Sequence, residues 1–311
     1  MRPDISVLIP ARDEGSRIAP TIQAISRART SDARVEFVVV DDASTDGSVE
    51  KLVLAVPQLL EEPGIDIRVV PLEEHAGIFR ALNQAAALSS ADVLFMTDAH
   101  VRFSVGWDEI VLEGVGPDRI LAGTVVQEGT AFRGYGCSLL FPVMGTTWNK
   151  WPLGEHGEVP VAVCAATAMT SDLFASLGGY DEAMLVYGGG EPELSVRAWL
   201  HGAEIVSAPD LEVQHEFKPR AEHARFMQSI KLEWVHNCLR FGLLYLGELG
   251  CMQLLRYHAL AYPDVFQEAL TLVDAGDVFE RRARLAASQS RSFEWLVDAF
   301  GMRDLNGQAL L

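Results

Sequence analysis

The chain has 311 residues, 49% of them hydrophobic and 22% charged, enough apolar content for one large core with a smaller appended layer. Its 43 acidic residues against 25 Lys and Arg give a formal net charge of -18, which excludes a sequence-independent grip on nucleic acid, because such binding depends on clustered basic side chains. The longest apolar stretch, residues 239–262, is interrupted by Arg240, Glu248 and Arg256 and is too charged for an integral membrane segment.

Met1 runs almost directly into the strand-like Ile5-Ser6-Val7-Leu8-Ile9, leaving no room for a secretory leader. Cys137, Cys164, Cys238 and Cys251 lack any paired metal spacing and read as reduced thiols, so the chain is expected to be cytoplasmic. Over the first 130 residues, short apolar runs alternate with helical patterns, the sequence form of a mostly parallel α/β sheet flanked by helices. Strands are predicted at 4–10, 35–40, 66–71, 92–97 and 119–126, and helices at 16–28, 47–56, 77–88 and 106–114. From 128 to 160 the periodicity is lost, which predicts a long irregular and functional segment. A strand at 161–169, a short helix from Ser171, a mobile lid at the glycine run 188–190, a helix at 191–201 and a strand pair near 203–217 follow. The remainder reads as helices.

Ligands of such sheets sit beyond the carboxyl ends of the strands, so the polar residues there carry the argument. Strand 92–97 leads into Thr97-Asp98-Ala99-His100, and in extended chain residues i and i+2 share a side. Asp98 and His100 are therefore candidate ligands of one divalent cation, Mn²⁺ ahead of Mg²⁺ because Mg²⁺ prefers an all-oxygen shell. His215, at another strand end, is the third candidate. Asp-x-His alone is too short to be specific. Two further strand ends, Asp41-Asp42-Ala43-Ser44 and Pro10-Ala11-Arg12-Asp13-Glu14, add weight.

The order Ser-Val-Leu-Ile-Pro, Val-Val-Asp-Asp-Ala-Ser, Thr-Asp-Ala-His and Gly-Gly-Tyr-Asp-Glu resembles family 2 glycosyltransferases of the GT-A fold. Within them it is most similar to the polypeptide N-acetylgalactosaminyltransferases and their relatives, which carry Asp-x-His in place of Asp-x-Asp. The resemblance covers residues 4–220. It implies a Rossmann-like nucleotide-sugar-binding domain over 1–220, with a nucleotide half at 1–127 and an acceptor and lid half at 128–220, followed by a helical extension at 221–311. By position it implies that Pro10, Arg12, Asp42 and Arg80 line the base and ribose pocket, with Glu14 in the same nucleotide-sugar set. Asp42 would accept the N3–H of a uracil. Asp98, His100 and His215 would hold the metal against the diphosphate, and Lys218 would neutralise the leaving phosphate. Trp148 and Trp151 match an acceptor-side loop, and Tyr187 stands where relatives place a lid tryptophan.

Glu191 stands where inverting family members place an aspartate base and where the retaining polypeptide N-acetylgalactosaminyltransferases have an asparagine. A carboxylate can take a proton and an amide cannot, which favours inversion with Glu191 as catalytic base and Glu193 orienting the acceptor or the helix. The implied activity is hexosyl or N-acetylhexosaminyl transfer from a UDP-sugar to a hydroxyl or thiol of a small molecule, peptide or oligosaccharide precursor, with retention as the alternative mechanism. A nucleotidyltransferase is disfavoured because no glycine-rich basic loop follows strand 4–10. A non-catalytic nucleotide-sugar binder is disfavoured by Asp98, His100, His215 and Glu191 together. The C-terminal helices are a candidate homo-oligomer face.

Overall fold

Ile5–Ala11 (β1) is joined through the helix Ile18–Arg27 (α1) to Val35–Asp41 (β2). Both strands are mostly apolar and buried nearly throughout, as parallel strands covered on two faces must be, with Ser6 hydrogen-bonded to Glu36 where polar residues interrupt them. The computed structural model describes residues 2–154, 156–305 and 307. Ser48–Leu59 (α2), Ile65–Pro71 (β3), Ile78–Leu88 (α3) and Val93–Met96 (β4) continue the alternation. Then come Val101–Phe103 (β5), Trp107–Gly114 (α4) and Arg119–Val126 (β6).

The segment expected to be irregular instead holds three short strands, Arg133–Tyr135 (β7), Cys137–Leu140 (β8) and Gly145–Trp148 (β9), with β8 and β9 forming their own hairpin. The strand expected at 161–169 is a 3-10 turn, Cys164–Ala166, followed by Thr167–Thr170 (β10). Ser171–Leu177 (α5) and Gly190–Leu200 (α6) lead to Glu204–His215 (β11). β11 replaces the expected strand pair: it is one strand whose pairing with β6 shifts register between Ala208 and Glu212, at the bulge around Pro209. Arg220–Ser229 (α7), Lys231–Tyr245 (α8), Glu248–Ala261 (α9), Phe266–Asp274 (α10), Val278–Ser288 (α11) and Phe293–Ala299 (α12) complete the chain.

The main sheet runs β3-β2-β1-β4-β10-β6-β11-β5, with β7 on β6. It is parallel from β3 to β4, and β10 enters antiparallel to both neighbours. Alternation along the strands divides the core between the two faces of the sheet: Val7, Ile9, Phe37 and Val39 belong to one apolar cluster, Leu8, Val38 and Val40 to the other. The second cluster also contains Val235, Leu239, Phe241, Leu254, Val273 and Leu296 from the C-terminal helices. Those helices thus complete the core on that face of the main sheet, each fully buried Leu or Phe contributing roughly 1.5–3 kcal/mol. Among the described residues no helix is long and apolar enough to cross a membrane.

Candidate active site

Strand order reverses between β1 and β4, and such a switch opens a crevice at the carboxyl edge of the sheet. A cavity of about 1030 Å³ lies there, large enough for a ligand of nucleotide size. Pro10, Arg12 and Glu14 reach it from the end of β1, Asp42 from β2, Asp98 and His100 from the turn between β4 and β5, and His215 and Lys218 from the end of β11.

Asp98 and His100 lie beyond the end of β4, with a bend at Ala99 and His100, yet they converge on one point with His215. The reason is register. β5 runs antiparallel to β11 with Val101 opposite His215, and the Glu216 amide donates to the His100 carbonyl at 3.2 Å. One ligand atom from each of Asp98, His100 and His215 falls within 4.8 Å of the others. Nε2 of His215 is 3.0 Å from Oδ2 of Asp98, while its Nδ1 is buried with no hydrogen-bond partner among the described residues. A carboxylate beside two imidazoles, one with an unpaired buried nitrogen, fits a divalent cation such as Mn²⁺.

Burial opposes the charge on Asp98, but the His215 hydrogen bond and the positive fields of His215, His100 and Lys218 hold its carboxyl below the ordinary value. Burial also opposes protonation of His100. The hydrogen bond to Glu14 and the charge of Asp98 outweigh it and raise the imidazole. Glu14, expected among the nucleotide contacts, lies with Oε2 3.1 Å from His100 Nδ1. A carboxylate can only accept, so Nδ1–H donates to it and the neutral ring keeps its lone pair on Nε2, the arrangement that orients a metal-binding histidine.

The Asp42 carboxylate takes hydrogen bonds from the Ala76 amide at 2.6 Å, from the Gly77 amide at 2.9 Å and from His75 Nδ1 at 2.8 Å. Two of the three fall on one oxygen, so the other keeps a free acceptor position for a ligand N–H. Gly77 allows this at φ +90°, where a Cβ would stand 2.7 Å from the Val186 backbone. The Arg12 guanidinium donates to the carbonyls of Asp42 and Ala43 and thereby braces the same loop. Sequence reasoning missed His75, which follows β3 at the same sheet edge; examining every strand end would have found it.

Three expected site residues stand off the cavity. Arg80 donates to the Glu182 carbonyl at 2.8 Å and is not among the described residues lining the cavity. Trp151 is 64% exposed and lies off the cavity, whereas Trp148 lines it and packs edge-on against Phe132 and Phe217. Glu193 is fully buried, paired with Arg197 at 2.6 and 3.0 Å and accepting the Tyr245 hydroxyl at 2.7 Å. Its oxygens are committed to α6 and the helices behind it, so it orients the helix and does not meet an acceptor.

Glu191 does line the cavity, and its Oε1 accepts the Cys164 amide at 2.6 Å. Burial raises its carboxyl above the ordinary value, the Cys164 amide opposes this, and the charge of Asp98 adds to the rise. Tyr187 lines the same cavity with its ring 5.4 Å from Phe226 of α7, and the Lys218 ammonium stands 5.8 Å over the same Phe226 ring. The glycines of the expected lid serve backbone geometry, with Gly188 and Gly189 both at positive φ.

Residues 6–155 match the family described as glycosyl transferase family 2. The chain is 24% identical over 314 residues to the probable polypeptide N-acetylgalactosaminyltransferase 8 of Homo sapiens, covering 95% of this chain and 47% of that protein. It is 26% identical over 279 residues to polypeptide N-acetylgalactosaminyltransferase 18 of Homo sapiens, covering 84% of this chain and 44% of that one. The chain therefore spans about half the length of the curated relatives it matches. Among solved structures, GalNAc-T7 with UDP, GalNAc and Mn²⁺ superposes with a TM-score of 0.74 at 18% identity, covering 96% of this chain and 57% of the other. The mannosyltransferase PcManGT of Pyrobaculum calidifontis, in complex with GDP-Man and Mn²⁺, does so at 0.51 and 19% identity, covering 93% and 75%.

Proposed function

We propose that the chain moves an N-acetylhexosamine from a uridine diphosphate donor to an acceptor hydroxyl, a reading supported by the match of residues 6–155 to glycosyl transferase family 2 and by the GT-A fold shared with GalNAc-T7. The observation that carries this reading is the convergence of Asp98, His100 and His215 in the cavity that also holds Asp42. The free acceptor position on Asp42 supports a base with an N–H donor, and UDP in the GalNAc-T7 complex supports uracil. Residues 1–220 are read as the catalytic unit and 221–311 as the layer that completes its core. The four free cysteines, three of them buried, support a reducing, cytoplasmic setting.

Asp98, His100 and His215 would hold the cation, Mn²⁺ ahead of Mg²⁺, which supplies positive charge to the diphosphate as it departs. Lys218 adds a second positive charge on the same wall. Glu14 accepts from His100 Nδ1 and so holds its tautomer, with Arg17 farther off at 4.0 Å from the same oxygen. Glu14→Gln is therefore expected to weaken Mn²⁺ binding by about 10–100-fold in calorimetric titration, with little change in the fold; unchanged Mn²⁺ affinity would refute that role.

The names of the relatives support the retaining alternative better than inversion with Glu191 as base. In the retaining reading Glu191 shapes the cavity wall through the Cys164 amide. Glu191→Gln keeps that hydrogen bond and is expected to leave transfer within roughly 10-fold of wild type, with the product anomer matching the donor by NMR. A loss of about 10²–10⁴-fold together with an inverted product would restore the base assignment. The function itself is tested by a nucleotide-sugar panel in Mn²⁺, Mg²⁺ and chelator, following UDP release and acceptor mass. UDP release from a UDP-N-acetylhexosamine in Mn²⁺ alone is expected. Pyrophosphate formation from UTP and a sugar phosphate would indicate a nucleotidyltransferase.

A further inference from the structure

Asn237 lies at the middle of α8, wholly buried, and its side chain is spent on one short stretch of backbone. Its amide nitrogen donates to the carbonyls of Leu185 at 2.7 Å, Gly188 at 2.8 Å and Tyr187 at 3.2 Å. Its oxygen accepts the Leu185 amide at 2.8 Å and faces His236 Nδ1 at 2.9 Å. Binding both the N–H and the C=O of Leu185, the side chain satisfies the loop as a neighbouring strand would.

The loop needs such a partner. Val186, Gly188 and Gly189 all have positive φ, at +42°, +83° and +82°, and a β-branched residue in that region persists only where its surroundings hold it. The other side of the loop meets the base pocket: the Val186 carbonyl accepts the Ile78 amide at 3.0 Å, and Gly77 packs against the Val186 backbone while its own amide reaches Asp42. Between those contacts Tyr187 enters the cavity, and α6 begins immediately afterwards with Glu191 in its first turn.

We propose that Asn237 is a positioning residue, through which the C-terminal helical layer fixes the 185–189 loop and so the wall shared by Tyr187 and the Asp42 pocket. Its consequence for nucleotide binding rests on the reading given under Proposed function; its structural part does not. Asn237→Asp keeps shape and the acceptor but removes the two N–H donors and sets an anionic oxygen against carbonyls. Asn237→Ala removes both, and serves if the first variant fails to fold.

The test is hydrogen exchange over residues 185–190, with UDP affinity in Mn²⁺ measured alongside. Leu239→Ala, which opens a void in the same helix without touching the loop, is the control. Exchange in the loop is expected to rise about 10-fold or more, and UDP affinity to fall by roughly 10-fold, in both Asn237 variants. The control should lower Tm and leave both readings at wild type. Unchanged loop exchange in the Asn237 variants, or an equal rise in the control, would overturn the proposal. If the wild type binds no UDP, the transferase reading fails while the exchange comparison still decides the clamp.

Discussion

Asp98→Asn is expected to lower metal-dependent UDP release by about 10³-fold or more, with circular dichroism and Tm close to wild type. The substitution keeps the size and hydrogen-bonding capacity of the side chain but deletes the one formal negative charge among the three candidate ligands. Metal-borne charge stabilisation is worth several kcal/mol in a displacement of this kind, and each 1.4 kcal/mol is tenfold in rate. The structural cost is small because the side chain is part-exposed and an amide can still meet His215, 3.0 Å away. Asp92→Asn, at an exposed carboxylate just before β4 that pairs with Arg2 on the surface, is the charge-matched control and should be inert. A rate for Asp98→Asn within tenfold of wild type would remove Asp98 from the metal site.

The second large effect is on stability. Arg197→Met is expected to destabilise the chain by about 3–5 kcal/mol, because it strips the buried Glu193 carboxylate of its two-point partner and leaves it the Tyr245 hydroxyl and the more distant Arg281 at 3.9 Å. Arg197 also donates to the carbonyls of Leu177 and Gly179 at the end of α5, so those groups lose their partner as well. Nearby, Asp181 pairs with both Arg240 and Arg281, and Arg240 continues to Asp277, so the ion pairs link α6 to α8 and α11. Denaturant titration with unchanged slope should report the loss. The double variant Arg197→Met, Glu193→Gln should recover part of it. A cost under about 1 kcal/mol for the single change would mean the pair is not dry.

The comparison between sequence and structure divides along local and non-local lines. β1 and β2 were legible because Val7-Leu8-Ile9 and Phe37-Val38-Val39-Val40 are apolar at successive positions, as strands covered on both faces are, and their polar ends pointed to the cavity. Asp98, His100 and His215 were legible as types in order, but their meeting depends on the antiparallel register of β5 on β11 and on the bulge near Pro209, which no local pattern encodes. Glu193 shows the opposite failure. Its i,i+4 spacing to Arg197 is a readable pair, yet its neighbour Glu191 drew it into the catalytic reading. Arg80 and Trp151 were assigned by motif position, and only the folded chain reveals that one is engaged by the Glu182 carbonyl and the other faces solvent. The C-terminal helices gave the least, because the work of Asn237 is done against backbone some fifty residues away.

The central claim is that one divalent cation, gripped by Asp98, His100 and His215, joins the protein to the diphosphate of its donor. UDP affinity measured by calorimetry in Mn²⁺ and again in chelator tests it most directly. The account predicts that chelation weakens UDP by at least about tenfold, and that Asp98→Asn binds with the weak affinity in both conditions. Equal UDP affinity with and without metal in the wild type would contradict it.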